Sequence, residues 1–126
     1  MARHKNLNPT EKELAILKVL WSIGPATVRQ INDEICKTSK TGYTTTLKIM
    51  QIMTEKGLLV RDESSHKHIY EPAVSEELTE NQIVGDVIDR VFAGSAKNLV
   101  MRALSAGEVS PAELKKIREI LDSMEA

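Results

Sequence analysis

Apolar residues recur three and four positions apart in three stretches of the first 57 residues. This spacing places them on one side of an α-helix, so it predicts three short amphipathic helices. Gly24-Pro25 ends the first helix, and the third runs from Tyr43 to Lys56 with Gly57 as its C-cap. The three stripes are Leu14, Leu17 and Trp21; Val28, Ile31 and Ile35; and Thr46, Ile49, Met50 and Met53.

Capping residues predict where helices begin. Asn8-Pro9-Thr10-Glu11 predicts Asn8 as the N-cap of the first helix, with Pro9 at its first position. Thr27-Val28-Arg29-Gln30 predicts a capping box, in which the Thr and Gln side chains each bond the other residue's backbone. Three further helix starts are predicted at Ser75, Ser95 and Ser110, and Ser110-Pro111-Ala112-Glu113 predicts a second capping box.

A β-hairpin is predicted after the third helix. Residues 58–61 form its first strand, the polar residues 62–65 its turn, and residues 67–71 its second strand, which ends at Pro72. Three helices followed by a hairpin is the order of elements in a winged helix-turn-helix domain. We therefore assign residues 1–74 to a winged-helix DNA-binding domain.

The second half of the chain is predicted to be helical over residues 76–93, 96–106 and 111–124. Roughly fifty residues bury too little apolar surface alone, so residues 75–126 are expected to form a helical dimerisation domain with a second copy. The predicted fold class is mainly α with a small β-hairpin wing. The apolar residues expected at the dimer contact are Val84, Val87, Ile88, Val91, Leu99, Leu104, Ile117 and Leu121.

Composition adds a size limit and a charge asymmetry. A chain of 126 residues is too short for two enzyme-sized domains, and only 3% of its residues are aromatic, which favours packed helices. Its net charge is −1, but residues 1–72 carry +3 and residues 73–126 carry −4. A basic first half indicates a partner that is a polyanion. A single cysteine and the lack of a long apolar run predict a cytoplasmic protein that does not enter membranes.

The sequence gives little support for catalysis or for metal binding. Cys36 follows an apolar helix stripe, far in sequence from any histidine, and is interpreted as a partly buried small residue. His66 and His68 are two apart on the predicted strand, and Asp62, Glu63 and Cys36 are conceivable further ligands. Nothing fixes their spacing, so we expect no metal or other cofactor and no enzyme, and we interpret the histidines as wing residues near phosphate.

The pattern of polar residues favours DNA binding. The third helix has an apolar face for the core and a polar face that begins at its N-terminus, as a recognition helix requires. The residues expected to read bases are Tyr43, Thr44, Thr45, Leu47, Lys48 and Gln51. Those expected on phosphates or in the wing are Arg3, Lys5, Thr27, Arg29, His66, Lys67 and His68. Arg61 has two interpretations: it can contact phosphate, or it can pair with Glu71 across the hairpin.

Several segments resemble the penicillinase-repressor and methicillin-resistance-repressor (BlaI/MecI-like) family of bacterial winged-helix regulators. Their order and spacing, which cover nearly the whole chain, carry the resemblance more than any single motif does. The segments are residues 7–21, 24–28, 42–47, 56–59, 70–75, 94–100 and 110–114.

The resemblance implies a homodimeric transcriptional repressor, in which each winged domain reads half of a dyad operator with TACA/TGTA-like half-sites. Relatives are inactivated when a membrane sensor pathway leads to cleavage between an Asn and a Phe. The aligned residues here are Arg102 and Ala103, so the resemblance identifies no upstream sensor or protease for this chain. Copper-responsive relatives carry Cys-x-Cys pairs near the C-terminus, which this chain lacks.

A function from another class also fits the sequence. Winged helices serve as protein-interaction or adaptor modules, and a nearly neutral net charge is compatible with that use. The two hypotheses differ in the importance of Lys48 and Lys67, which an adaptor can lose without consequence.

Overall fold

The computed structural model describes residues 8–126, which form six helices and one two-stranded antiparallel sheet. This confirms the predicted fold class. The predicted phosphate contacts Arg3 and Lys5 lie outside the described residues. The elements are α1 (Glu11–Ile23), α2 (Val28–Ile35), α3 (Tyr43–Lys56), β1 (Leu59–Asp62), β2 (Ile69–Pro72), α4 (Glu76–Val91), α5 (Ala96–Ala106) and α6 (Pro111–Glu125).

The cap of α1 is Thr10, so the prediction of Asn8 as the N-cap was wrong. The Glu13 backbone N–H donates to Thr10 Oγ1 at 3.2 Å, and the Thr10 N–H donates to Glu13 Oε1 at 3.0 Å. This reciprocal pair satisfies two backbone donors at once, which explains why the helix begins after Thr10 and not at Pro9. The capping boxes predicted at Thr27 and Ser110 are confirmed.

The core of the winged unit lies where α1, α2 and α3 meet the hairpin. Inward residues of the predicted stripes are buried in it, and Tyr70 of β2 is its largest fully buried side chain. Tyr70 also exchanges two backbone hydrogen bonds with Ala26, which precedes α2, at 2.8 and 3.0 Å. The buried apolar residues are Ile16, Leu17, Leu20, Ala26, Val28, Ile31, Met50, Met53, Leu58, Leu59 and Tyr70.

The hairpin pairs Leu59 with Pro72 and Asp62 with Ile69. Its second strand therefore begins at Ile69, two residues later than predicted, and His66 and His68 lie in the loop between the strands. Hydrogen bonds within this loop, from the Ser64 N–H to Asp62 Oδ1 and from Ser65 Oγ to the Lys67 carbonyl oxygen, replace the strand pairing that the sequence predicted.

Residues 8–126 divide into two compact units, and the division lies between Ile83 and Val84, inside α4. The sequence placed its domain boundary at residues 74/75, before this helix. α4 ends at Val91, two residues earlier than predicted, because Ala93 and Gly94 have left-handed φ angles of 51° and 85° that no α-helix continues through. Across residues 8–126, no helix is both long enough and apolar enough to span a membrane.

One ion pair joins the start of α1 to the end of α3. Lys56 Nζ lies 2.9 Å from both carboxylate oxygens of Glu13, whose side chain is almost fully buried. Burial alone would raise the pKa of the Glu13 carboxyl, but hydrogen bonds from Thr10 and the charge of Lys56 outweigh it and lower the pKa. Glu13 thus stabilises the fold in its charged form.

Replacing Glu13 by Gln should lower the free energy of unfolding by about 1 kcal/mol at pH 7, because Gln keeps the cap but loses the charge. A lowered pKa in the folded state contributes stability that is present above the unfolded pKa and is lost as the pH falls through the folded pKa. The difference between Glu13→Gln and wild type should therefore shrink below about pH 4. Urea unfolding at pH 7 and pH 3.5 measures it, and a difference that stays constant with pH would contradict the ionic role of Glu13.

Candidate nucleic-acid interface

The outward side of α3 is polar from its first turn. Tyr43, Thr44, Thr45, Lys48 and Gln51 are exposed, whereas Leu47 is half-buried and packs against the core. Thr46, Met50 and Met53 face inward and are fully buried. The helix is thus divided between core and solvent as the sequence predicted.

A cleft of about 690 Å³ separates the starts of α2 and α3 from the wing loop. Its lining includes the side chains of Arg29 and Lys67 and both wing histidines, and no carboxylate among the described residues lines it. The cleft is therefore suited to a negatively charged ligand. It brings together seven of the predicted site residues: Thr27, Arg29, Tyr43, Leu47, His66, Lys67 and His68.

Arg29 and Tyr43 are in direct contact within this cleft. The guanidinium carbon of Arg29 lies 4.8 Å from the centre of the Tyr43 ring, a cation–π distance. Arg29 stands in the first turn of α2, and Tyr43 is the first residue of α3. The sequence predicted a phosphate contact for Arg29 but missed the stacking, because no local pattern relates residues 14 positions apart in the chain.

Arg61 pairs within the wing and not across the hairpin. Its Nε lies 2.6 Å from Glu63 Oε2, whereas Glu71 stands opposite Val60 and so points to the other face of the sheet from Arg61. The interpretation that Arg61 pairs with Glu71 is therefore wrong. Hydrogen bonds with Tyr70 and Glu63 raise the pKa of Arg61, and the Ser64 backbone N–H lowers the pKa of Asp62.

One buried hydrogen bond links α2 to α3. Thr46 Oγ1 donates to Asn32 Oδ1 at 2.6 Å, and both residues are buried. Thr46 appears in the sequence as a polar residue within an apolar stripe, which is the only signal that could have indicated a bonded partner.

The residues considered for catalysis or metal binding do not lie together in one site. Cys36 is exposed at the end of α2, so its interpretation as partly buried was wrong, and its Sγ contacts the Thr41 carbonyl oxygen at 3.1 Å. Within residues 8–126, no group of three or more His, Cys, Asp or Glu side chains could hold a metal ion.

Many apolar side chains of the second unit are exposed to solvent. No residue of α5 or α6 is buried. Of the predicted dimer residues, Val84, Val91, Leu104 and Leu121 are exposed, and four are half-buried: Val87, Ile88, Leu99 and Ile117.

A helix-turn-helix with an outward polar helix, followed by a hairpin that closes a basic cleft, defines the winged-helix class of regulators. Within that class, a sequence profile described as penicillinase repressor matches residues 9–123. The chain therefore belongs to the penicillinase repressor family, whose members are transcriptional repressors and not enzymes.

Individual relatives are distant. The chain is 21% identical over 113 residues to the penicillinase repressor of Bacillus licheniformis, an alignment covering 90% of this chain and 88% of that protein. The solution structure of the DNA-binding domain of the repressor BlaI superposes with a TM-score of 0.51 at 23% identity, covering 59% of this chain and 90% of that domain. This likeness shows a shared fold. The monomeric form of Bacillus licheniformis BlaI with the blaP half-operator has a TM-score of 0.45 at 19% identity, covering 61% of this chain and 87% of that one.

Proposed function

We propose that this protein is a homodimeric repressor that binds a dyad operator sequence-specifically and blocks transcription by occupying it. The observation that carries the proposal is the basic cleft beside the polar start of α3, which no carboxylate of residues 8–126 lines. A curated relative named penicillinase repressor and a BlaI DNA-binding domain of the same fold support it.

In this proposal α3 enters the major groove with its N-terminal turns against the base edges. The Thr44 and Thr45 hydroxyls are small enough to hydrogen-bond a base edge or touch a thymine methyl. Lys48 is one turn further along the same exposed side, where its ammonium can bind guanine, and Gln51 can pair with adenine. Tyr43 and Leu47 lie beside these residues at the mouth of the cleft.

Phosphates on either side of the groove are then bound by the rest of the cleft. The contact of Arg29 with the Tyr43 ring favours one orientation of the guanidinium before DNA binds, which reduces the entropy lost on binding. Lys67, with His66 and His68, approaches the backbone from the wing loop. Thr27 stands at the N-terminus of α2, where the helix dipole favours an anion.

Dimerisation is supported by the uncovered apolar side chains of the second unit. Leu104, Leu121 and Met124 are 39%, 53% and 76% exposed, and apolar stripes of this size normally pack against a partner. A second copy gives two α3 helices for two half-sites, which are expected about one DNA turn, roughly 34 Å, or a multiple of it apart.

Two substitutions distinguish a residue that reads bases from one that binds phosphate. Lys48→Ala should weaken binding to the preferred operator by about tenfold or more while affecting random duplex less, since a lost base contact costs about 1–3 kcal/mol of discrimination. Lys67→Ala, the matched control, should weaken both duplexes equally and reduce the salt slope by about one. The operator is first selected from a random duplex library, and affinities are measured by fluorescence anisotropy at two salt concentrations.

Equal losses on both duplexes for Lys48→Ala would contradict its role in base reading. If selection with the wild-type protein enriches no sequence, the repressor proposal itself is wrong and the adaptor function replaces it.

A further inference from the structure

The buried residues of α2 and α3 are apolar except for Asn32 and Thr46, whose side chains are hydrogen-bonded to each other. Ile31 on α2 and Met50 on α3 are fully buried, and the Thr46 Oγ1 to Asn32 Oδ1 bond of 2.6 Å lies among such residues. Buried polar side chains in an apolar contact cost free energy unless they are paired, and a paired one fixes geometry more strictly than methyl contacts do. This bond therefore constrains how the two helices fit together.

The position of Thr46 makes the constraint relevant to DNA. Thr46 is flanked in the chain by Thr45 and Leu47, and Thr45 points to solvent on the proposed base-reading side. Because residues on one helix turn move as a unit, a rotation of α3 that breaks the Thr46 bond also displaces the side chain of Thr45. With side chains about 5–6 Å from the helix axis, a rotation of about 20° moves them by roughly 2 Å.

The other polar contacts of α3, Arg29 on Tyr43 and Lys56 with Glu13, are made by long cationic side chains that can follow a small rotation. The buried apolar contacts also resist it weakly. Met50 and Met53 are flexible side chains that repack easily, so they tolerate several rotational settings of α3 at similar energy. A short, directional hydrogen bond selects one setting among them. Base readout tolerates displacements of only about 0.5 Å, so the rotational setting of α3 affects which base sequence is bound.

We infer that Asn32 and Thr46 are positioning residues: their hydrogen bond sets the rotation of α3 and thereby the sequence specificity of the repressor, more than its stability. The inference rests on the proposed function, because it needs α3 to read DNA. Neither side chain touches DNA, since both are buried.

The decisive variant removes both polar groups at once. In Asn32→Leu/Thr46→Val, side chains of similar size replace the bonded pair, and loss of both partners is close to neutral for stability. We expect an unchanged or higher Tm, an affinity for random duplex within about twofold of wild type, and a ratio of operator to random affinity reduced about tenfold. Thr46→Ser keeps the hydroxyl and should preserve the ratio. Met50→Leu, which disturbs the same core without touching the bond, is the matched control and should also preserve it.

Two results would overturn the inference. One is a double variant that is folded and retains the wild-type affinity ratio, and the other is a Met50→Leu variant that loses the ratio to the same degree. Both are distinct from failure of the proposed function, which appears as a wild-type protein without sequence preference. Should the double variant not fold, the comparison of Thr46→Ser with Thr46→Val carries the test, and equal ratios in those two overturn the inference.

Discussion

Leu104→Asp/Leu121→Asp should convert the repressor into a folded monomer and weaken operator binding by about 10²–10⁴-fold. Both side chains are exposed on a single chain, at 39% and 53%, so aspartate there disturbs little within one copy. In the proposed dimer the same positions bring four carboxylates into an apolar contact, which costs several kcal/mol per unpaired charge. Each half-site is then bound separately, without the gain in effective concentration that linked binding gives.

Light scattering after size exclusion measures the dimer, and a mobility-shift titration measures operator affinity. Ser105→Asp/Ser123→Asp is the matched control, because it adds the same charge to the same two helices at polar positions and should remain dimeric. A Leu104→Asp/Leu121→Asp variant that still dimerises would show that the partner packs elsewhere. A monomeric wild type would contradict the dimer proposal.

Tyr70→Ala should remove about 3–5 kcal/mol of stability from the winged unit, as truncation of a fully buried aromatic residue does. Small domains are stable by about 5–15 kcal/mol in total, so the variant is expected to be partly unfolded at 37 °C and to lose DNA binding with its fold. The ring of Tyr70 fills the core between the helices and the hairpin, and its truncation leaves a cavity that the backbone bonds to Ala26 cannot close.

Chemical unfolding followed by circular dichroism measures the effect. Tyr70→Phe keeps the ring and should cost about 1 kcal/mol or less, and Val60→Ala tests the exposed face of the hairpin, where little change is expected. A Tyr70→Ala protein within about 1 kcal/mol of wild type would contradict the central place of this residue in the core.

Local signals in the sequence predicted the elements well. α5 begins and ends at the predicted residues, and the capping boxes at Thr27 and Ser110 form as expected, because capping depends on residues three positions apart. The inward side of α3 followed from helical period alone. The prediction of Asn8 as the N-cap of α1 was wrong because Asn8 and Thr10 both offer a capping side chain. The reciprocal hydrogen bonds with Glu13 favour Thr10.

Features that depend on distant parts of the chain were not predictable in this way. Whether Arg61 can reach Glu71 depends on the hairpin register, which the polar loop leaves undefined in the sequence. Arg29 meets Tyr43, and Asn32 meets Thr46, only because the turn between α2 and α3 brings the helices together. The sequence predicted most members of the candidate site individually, but not the contacts that order them.

The division of α3 into an inward and an outward side has a consequence for evolution. Met50 and Met53 are buried in the core, whereas the exposed side chains of Thr44, Thr45, Lys48 and Gln51 have no packing role. Phosphate contacts fix the position of a protein on the duplex but carry no sequence information directly. A lineage of such repressors can therefore acquire a new operator through a few outward substitutions, with no need to rebuild the scaffold that presents them.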